Sequence, residues 1–104
     1  VENKLVSLKK VEVDSKWKYS IVEAFKDLNI KEGRQLIINN LNKDDVDDYL
    51  IWLSNHLDIF GFEENSLESA KAIQTIHKAL VDNRITASPE INLSATLAIL
   101  TQNL

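Results

Sequence analysis

The chain has 104 residues, a length that suits one domain with its own hydrophobic core. Two glycines, one proline and no cysteine exclude a disulfide framework, a thiolate metal site, a thiol nucleophile and a glycine-rich phosphate loop. The formal net charge of −4 disfavours direct binding to nucleic acid or to an anionic membrane. Because turn-rich β-folds need glycine or proline at most corners, we expect a single all-α domain over residues 1–104.

The amino-terminal segment fits more than one local structure. Leu5 and Leu8 have helical spacing, whereas residues 11–13 alternate as in a strand. Residues 1–13 are therefore interpreted as an arm or a short additional element. Lysines interrupt residues 1–20, where a signal peptide needs an apolar core, so the default expectation is a cytoplasmic protein.

The apolar spacing predicts two helices in the first part of the chain. Residues 14–29 form the first, with Gly33 close enough to its end to help termination. The segment Gln35–Leu41 is interpreted as a second, short helix because no partner strand is evident. The apolar face of the first helix consists of Trp17, Ile21, Ala24, Phe25 and Leu28.

A third helix is predicted to begin after Asn42, which has the position of an N-cap. Asp44 and Asp45 fall in its first turn, where the helix dipole favours negative charge, and Gly61 supplies a stop. Ile51 and Trp52 lie off its apolar stripe. That stripe consists of Val46, Tyr49, Leu50, Leu53 and Leu57.

The fourth helix is predicted from a local capping signal. Asn65 and Glu68 have the spacing of a capping box, and the helix is expected to end at Asp82 and Asn83. Its expected core face consists of Leu67, Ala70, Ile73, Ile76, Leu80 and Val81.

The fifth helix begins at Ser88 and Pro89, with serine as the cap and proline at the first helical position. Residues 91–104 carry no charge, but the run is too short and too polar to span a bilayer. It is interpreted as the central helix of the bundle. The alternative is a homodimer whose seam consists of Leu93, Leu97, Leu100 and Leu104. Together the elements predict a compact antiparallel bundle of four to five helices.

Charge is distributed unevenly along the chain. Residues 1–43 carry a net charge of +3, residues 44–70 carry −8 without any lysine or arginine, and residues 71–104 carry +1. The eight acids of the middle stretch are Asp44, Asp45, Asp47, Asp48, Asp58, Glu63, Glu64 and Glu68. This acidic stretch is the only feature of the sequence that indicates a function.

The acidic stretch has two interpretations. In one, the early aspartates stabilise a helix N-terminus and the remaining acids keep a loop solvated. In the other, residues 44–68 form a docking face for a basic protein, with aromatic side chains ringed by charge. The candidate partner-binding residues are Asp44, Asp47, Asp48, Trp52, Phe62, Glu63 and Glu64.

Catalytic and metal-binding signals are weak. His56 and His77 lie on different predicted helices, and Asp48 and His56 are two turns apart, too far to share a metal. Residues 44–48 lack the glycine and terminal glutamate of a calcium loop. We therefore expect no enzyme activity, no cofactor and no metal site.

In general character, the chain is similar to small, acidic, cysteine-free helical proteins that neutralise a toxin or nuclease by covering its basic surface. The leading hypothesis is thus a binding module of the immunity-protein, antitoxin or phage-inhibitor type, which binds a basic protein. A self-associating regulatory subunit is the second hypothesis. An enzyme with a carboxylate–histidine site around His56 is the third.

Overall fold

In a computed structural model, residues 16–103 are described, and every regular element within that range is a helix. Short 3-10 turns at Lys43–Asp45 and Leu57–Phe60 flank the third α-helix, and a π-helical turn at Ile99–Asn103 continues the last. The α-helices are α1 (Lys16–Lys26), α2 (Ile30–Asn40), α3 (Val46–Ser54), α4 (Leu67–Asp82) and α5 (Pro89–Ala98). The all-α prediction is confirmed, whereas the expected arm, residues 1–13, lies outside the described residues.

The last helix, α5, lies at the centre of the bundle and contacts all four other α-helices. Its side chains Leu93, Leu97 and Leu100 are buried in the core, which confirms the interpretation of a central helix. Because these three leucines pack inside one chain, they offer no surface to a second copy. Leu104, the fourth residue of the predicted seam, lies outside the described range. Within residues 16–103, no helix is long and apolar enough to cross a membrane.

Helices α1 and α2 form a close hairpin around a glycine. Gly33 lies inside α2 and is buried, so the expectation that it terminates α1 is wrong. A Cβ atom at this position would lie 2.6 Å from Cε2 of Phe25, a core residue of α1. The absence of a side chain at Gly33 therefore lets the Phe25 ring pack directly on the α2 backbone.

Leu28, rather than a glycine, closes α1. It adopts a left-handed conformation with φ 60°, and the Asn29 amide donates to the Ala24 carbonyl at 2.8 Å. The Leu28 amide donates to the Phe25 carbonyl at 3.1 Å, which completes a Schellman motif. This turn points Leu28 into solvent, so its predicted place in the α1 core face is wrong.

Helices α3 and α4 form the second hairpin and run antiparallel. The buried face of α3 follows the predicted stripe through Val46, Tyr49, Leu50 and Leu53, while Leu57 is half-buried in the following turn. The bond from Asn83, just after α4, to Asp47 near the start of α3 joins opposite ends of the two helices.

The inner face of α4 differs from the predicted one. Ala72, Ile76 and Ala79 are buried, whereas the larger side chains Leu67 and Val81 of the predicted face are exposed. Small residues allow α4 to lie close to its neighbours, and the Asn92 amide donates to the Ala79 carbonyl at 2.9 Å across that contact. The predicted core members Ala70 and Ile73 are also exposed, Ile76 is buried and Leu80 is half-buried.

Of the three predicted helix starts, Ser88 caps α5 as predicted, whereas Asn42 caps the 3-10 turn Lys43–Asp45 and α3 begins only at Val46, with Asp45 as its N-cap. The Asn42 amide donates to the Asp45 carboxylate at 3.1 Å, and the Ser88 hydroxyl accepts from the Ile91 amide at 3.3 Å. The predicted Asn65–Glu68 capping box is wrong because Ser66 is the N-cap of α4 and accepts from the Ser69 amide. Asn65 instead adopts a left-handed conformation, which asparagine tolerates better than most residues.

Polar contacts fasten α5 to the first hairpin. The Arg34 guanidinium on α2 donates to both carboxylate oxygens of Glu90, at 2.9 and 2.7 Å, and the Ser94 hydroxyl also donates to Glu90. In the π-helical turn that follows α5, the Gln102 side-chain amide donates to the Phe25 carbonyl at 3.0 Å, as a second donor beside the Leu28 amide, and so joins this turn to the end of α1.

We expect Gly33→Ala to lower stability, although alanine is favoured over glycine in a helix by about 1 kcal/mol. Overpacking of a core typically costs about 1–3 kcal/mol, and the new Cβ would overlap the Phe25 ring. Urea unfolding followed by far-UV circular dichroism measures the change. In a Phe25→Leu background the same substitution should cost less or stabilise. Greater stability of the single Gly33→Ala variant would contradict the close contact.

We expect Glu90→Gln to reduce the dependence of stability on acid pH. Hydrogen bonds from Arg34 lower the pKa of the Glu90 carboxyl, partly opposed by burial. The stabilising contribution is therefore complete above the ordinary glutamate value of about 4.3 and is lost as pH falls through the lowered value. Urea midpoints between neutral pH and acid should fall less steeply for Glu90→Gln than for the exposed control Glu23→Gln. Parallel pH profiles for the two variants would refute this role of the pair.

Candidate binding surface

The eight acids of residues 44–68 lie at the two ends of the α3–α4 hairpin. The first group precedes and opens α3, and the second follows α3 and opens α4. Helix α3 runs between these two ends and is nine residues, or about 13 Å, long at a rise of 1.5 Å per residue. The first group consists of Asp44, Asp45, Asp47 and Asp48, and the second of Asp58, Glu63, Glu64 and Glu68.

Within residues 16–103, these carboxylates form no ion pair. The ion pairs among residues 16–103 are Lys26–Glu23, Arg34–Glu90 and Lys78–Asp82, and none of them includes an acid from either group. The acids Asp44, Asp48, Glu63 and Glu64 are exposed. Since neighbouring like charges repel one another when unpaired, this region of the free protein favours the approach of cations.

Asp47 is fixed by the end of α4. Its Oδ1 atom accepts a hydrogen bond of 2.9 Å from the Asn83 amide, and the residue is half-buried. The Asn83 Oδ1 atom is buried and has no hydrogen-bond partner within the described chain. Both residues line a polar cleft of about 450 Å³ whose rim also carries Asp44 and Arg84. The cleft carries charges of both signs, since Lys43 also lines it, but none of these charges forms an ion pair within the described chain.

Aromatic rings form a ladder between α1 and α3. Trp17 stacks on Tyr49 at 5.8 Å between ring centroids, Tyr49 on Trp52 at 5.7 Å, and Trp52 on His56 at 4.2 Å. The Tyr19 ring meets the edge of Trp52 at 5.1 Å. Trp52 is therefore half-buried in the ladder rather than fully exposed, and only part of it can reach a partner.

The ladder brings together residues that the sequence analysis did not single out. Tyr19 is exposed, and Lys18 places its ammonium 5.5 Å from the Trp52 ring centroid. Tyr19 lies off the predicted core face of α1. This position is the one sequence signal from which its exposure at the surface could have been predicted. Because Trp17 and Tyr49 are 32 positions apart, spacing along the chain could not have predicted their contact.

Tyr49 anchors the buried part of the ladder. Its hydroxyl donates to the Lys18 carbonyl at 2.8 Å, and the ring is buried. This burial raises the pKa of the Tyr49 phenol well above its ordinary value. Tyr49 thus stays a neutral hydrogen-bond donor that joins α3 to the first turn of α1.

Phe62 belongs to the connection between α3 and α4. Its ring stacks on Phe60 at 5.6 Å, and both rings are half-buried against the core. Gly61 between them has φ 85° and donates to the Asp58 carbonyl, so it ends the 3-10 turn. The prediction that Gly61 stops the third helix is wrong, because α3 ends at Ser54. Phe62 and Glu64 also line a shallow cleft of about 370 Å³ beside the second acidic group.

The histidines have different surroundings. Nδ1 of His56 lies 2.7 Å from the Trp52 carbonyl, which can only accept, so Nδ1 is the donor in this contact. His77 is exposed on α4. Among residues 16–103, no group of three or more histidines and acids has a geometry that could hold a metal ion.

Comparison of this chain with protein families, with curated proteins and with solved structures finds no significant match.

We expect Tyr49→Phe to destabilise the protein by about 1 kcal/mol, since the variant leaves the Lys18 carbonyl without its donor. The exposed residue Tyr19 offers the matched control, because among the described residues its hydroxyl makes no hydrogen bond, and Tyr19→Phe should leave stability nearly unchanged. Urea unfolding of both variants tests this difference. Equal stabilities would show that the Tyr49 bond contributes nothing to the contact between α1 and α3.

Proposed function

We propose that this protein is a non-enzymatic binding module that docks on a basic protein through residues 44–68, in the manner of an immunity protein, an antitoxin or a phage-type inhibitor. The observation that carries the proposal is the set of eight carboxylates without an ion pair among the described residues. Charged surfaces of this kind steer a partner of opposite charge and suppress wrong partners.

The size of the surface suits one protein partner. A standard interface covers about 800 Å² on each partner, a patch roughly 30 Å across. Such a patch is wide enough to span both acidic groups, which lie towards the two ends of the roughly 13 Å long helix α3. In this arrangement Asp44, Asp47 and Asp48 face one part of the partner, while Glu63 and Glu64 face another.

Aromatic side chains provide the less charged centre of the surface. Trp52 and Phe62 are each half-buried, so part of each ring is available and the rest is held by neighbouring rings. A ring fixed in this way loses little side-chain entropy on binding, a property of residues that contribute strongly to affinity. Asp47 is held by Asn83, so it too requires little reorganisation.

Association with a basic partner is expected to depend on the exposed acids Asp44 and Asp48. The protein is immobilised, exposed to lysate of its source cells, and the retained proteins are identified, purified and titrated by calorimetry. A partner with an isoelectric point above about 9 is expected. Asp44→Lys/Asp48→Lys should weaken its binding by about 30-fold or more, and raised salt should slow association.

The matched control is Glu23→Lys/Asp27→Lys, which makes the same charge change on exposed positions of α1 and the turn after it. It should bind the partner nearly as well as the unmodified protein. Retention of no basic protein, or equal binding by the two double variants, would overturn the proposal.

A further inference from the structure

A groove runs along the first hairpin, between α1 and α2, and has a volume of about 440 Å³. From α1 and the turn after it, the groove is lined by Lys16, Tyr19, Glu23 and Asp27, among others. These positions recur every three or four residues, so they form one face of α1 along its full length. The groove therefore begins at the first described residue of the chain and follows α1 to its end.

The two ends of the groove differ in charge. Lys16 lines the end at the start of α1, whereas Asp27 and Glu32 line the other end and are both exposed. Neither of these carboxylates forms an ion pair within the described chain, while Glu23 in the middle pairs with Lys26 at 3.9 Å. We call the far end, with its two unpaired negative charges, the acidic end of the groove.

Apolar side chains lie between the two ends. Ala24 is buried, Leu36 is half-buried and the Tyr19 ring is 43% exposed, and all three line the groove. A segment that fits the groove therefore combines aliphatic side chains with positive charge.

The chain that precedes Lys16 is joined to the groove at its near end. Residues 1–15 lie outside the described residues, but their sequence and reach can be compared with the groove. Lys16 and Asp27 are eleven positions apart, about 16 Å along α1 at 1.5 Å per residue. A chain covers that distance in about five residues when fully extended and in about eleven when helical. Counted back from Lys16, the part that can reach the acidic end is residues 5–11.

Residues 5–11 match the groove in charge and in hydropathy. Lys9 and Lys10 are their only charged residues, so two positive charges correspond to the two carboxylates of the acidic end. Apart from Ser7, the remaining residues are aliphatic, namely Leu5, Val6, Leu8 and Val11. Opposite charge next to matching apolar surface favours this segment as the occupant of the groove.

The covalent connection selects between possible occupants. A segment tethered at the end of its binding site is present at an effective concentration of about a millimolar or more. A second copy of the chain, or a separate basic protein, has no such advantage.

We propose that residues 5–11 bind in the groove between α1 and α2 of the same chain, with Lys9 and Lys10 beside Asp27 and Glu32. The contact joins the amino-terminal part of the chain to the first hairpin. The groove shares no residue with residues 44–68, so this inference does not depend on the proposed function.

Paramagnetic relaxation enhancement in the whole chain tests the contact without any partner. The chain has no cysteine, so the variant Ser7→Cys carries one nitroxide label at a known position. We expect the amide signals of Ala24, Asp27 and Glu32 to lose most of their intensity, and the amide signals of α4 to lose much less. At about 500 mM salt the intensity loss in the groove should decrease, because salt screens exposed charges.

Charge reversal identifies the side chains that hold the segment. In the nitroxide-labelled chain, Asp27→Lys/Glu32→Lys and Lys9→Glu/Lys10→Glu should each restore the intensity of the groove signals. The combination of all four changes exchanges the charges and should bring the intensity loss back. This recovery, together with far-UV circular dichroism of each variant, excludes misfolding as the cause.

The matched control is Glu63→Lys/Glu64→Lys, which makes the same charge change at exposed positions outside the groove and should leave the intensity loss unchanged. An intensity loss that disappears in this control would overturn the inference, because it would place the segment on residues 44–68. Equal intensities in the groove and in α4, or a loss that persists in Asp27→Lys/Glu32→Lys, would overturn it as well.

A mixture of two chains identifies a second copy as the occupant. The nitroxide is placed on chains of natural isotope content, and the amide signals are observed on unmodified chains enriched in nitrogen-15. We expect no intensity loss in the enriched chains, since the segment binds its own groove. An intensity loss at Ala24, Asp27 and Glu32 of the enriched chains would show that the segment comes from another copy and would overturn the inference.

Discussion

The burial of α5 against all four other α-helices is the contact on which the bundle depends. A helix can occupy that central place only if it carries little charge, because a buried unpaired charge costs several kcal/mol. After Glu90, the remainder of the described chain satisfies this condition without exception. Glu90 itself lies at the edge of the bundle, where Arg34 compensates it. The charged residues are consequently confined to the outer helices and their connections, which places the acids of α3 at the surface.

Short-range signals predicted much of this fold. The α3 stripe and the Ser88–Pro89 start depend on neighbours within one or two turns, and the structure has both. The α4 face was mispredicted because larger aliphatic residues usually face a core, whereas α4 buries alanines to approach its neighbours closely. The exposed position of Leu28 was mispredicted for a similar reason. Apolar spacing alone does not indicate the residue at which the chain leaves the helix and turns away from the core.

The charge of the candidate surface could be predicted from the sequence, whereas its shape could be predicted only in part. The absence of lysine and arginine from residues 44–70 is a property of the sequence, so the acidity of the α3–α4 hairpin could be predicted directly. The division of the acids into two groups depends on where α3 ends, which was predicted later than it occurs. The Asp47–Asn83 bond and the rings around Trp52 join residues distant in sequence, and no local pattern indicates such contacts.

The aromatic ladder also determines what optical spectroscopy can report about this protein. The chain has two tryptophans and two tyrosines, and all four lie in the ladder between α1 and α3. Tryptophan fluorescence therefore reports mainly on the contact between α1 and α3. The same holds for near-ultraviolet circular dichroism, except for the contribution of the phenylalanines. Neither signal reports directly on α4 or α5. A local opening of α1 would change these signals while the rest of the bundle remained helical, so only the far-ultraviolet signal of the backbone reports on the whole domain.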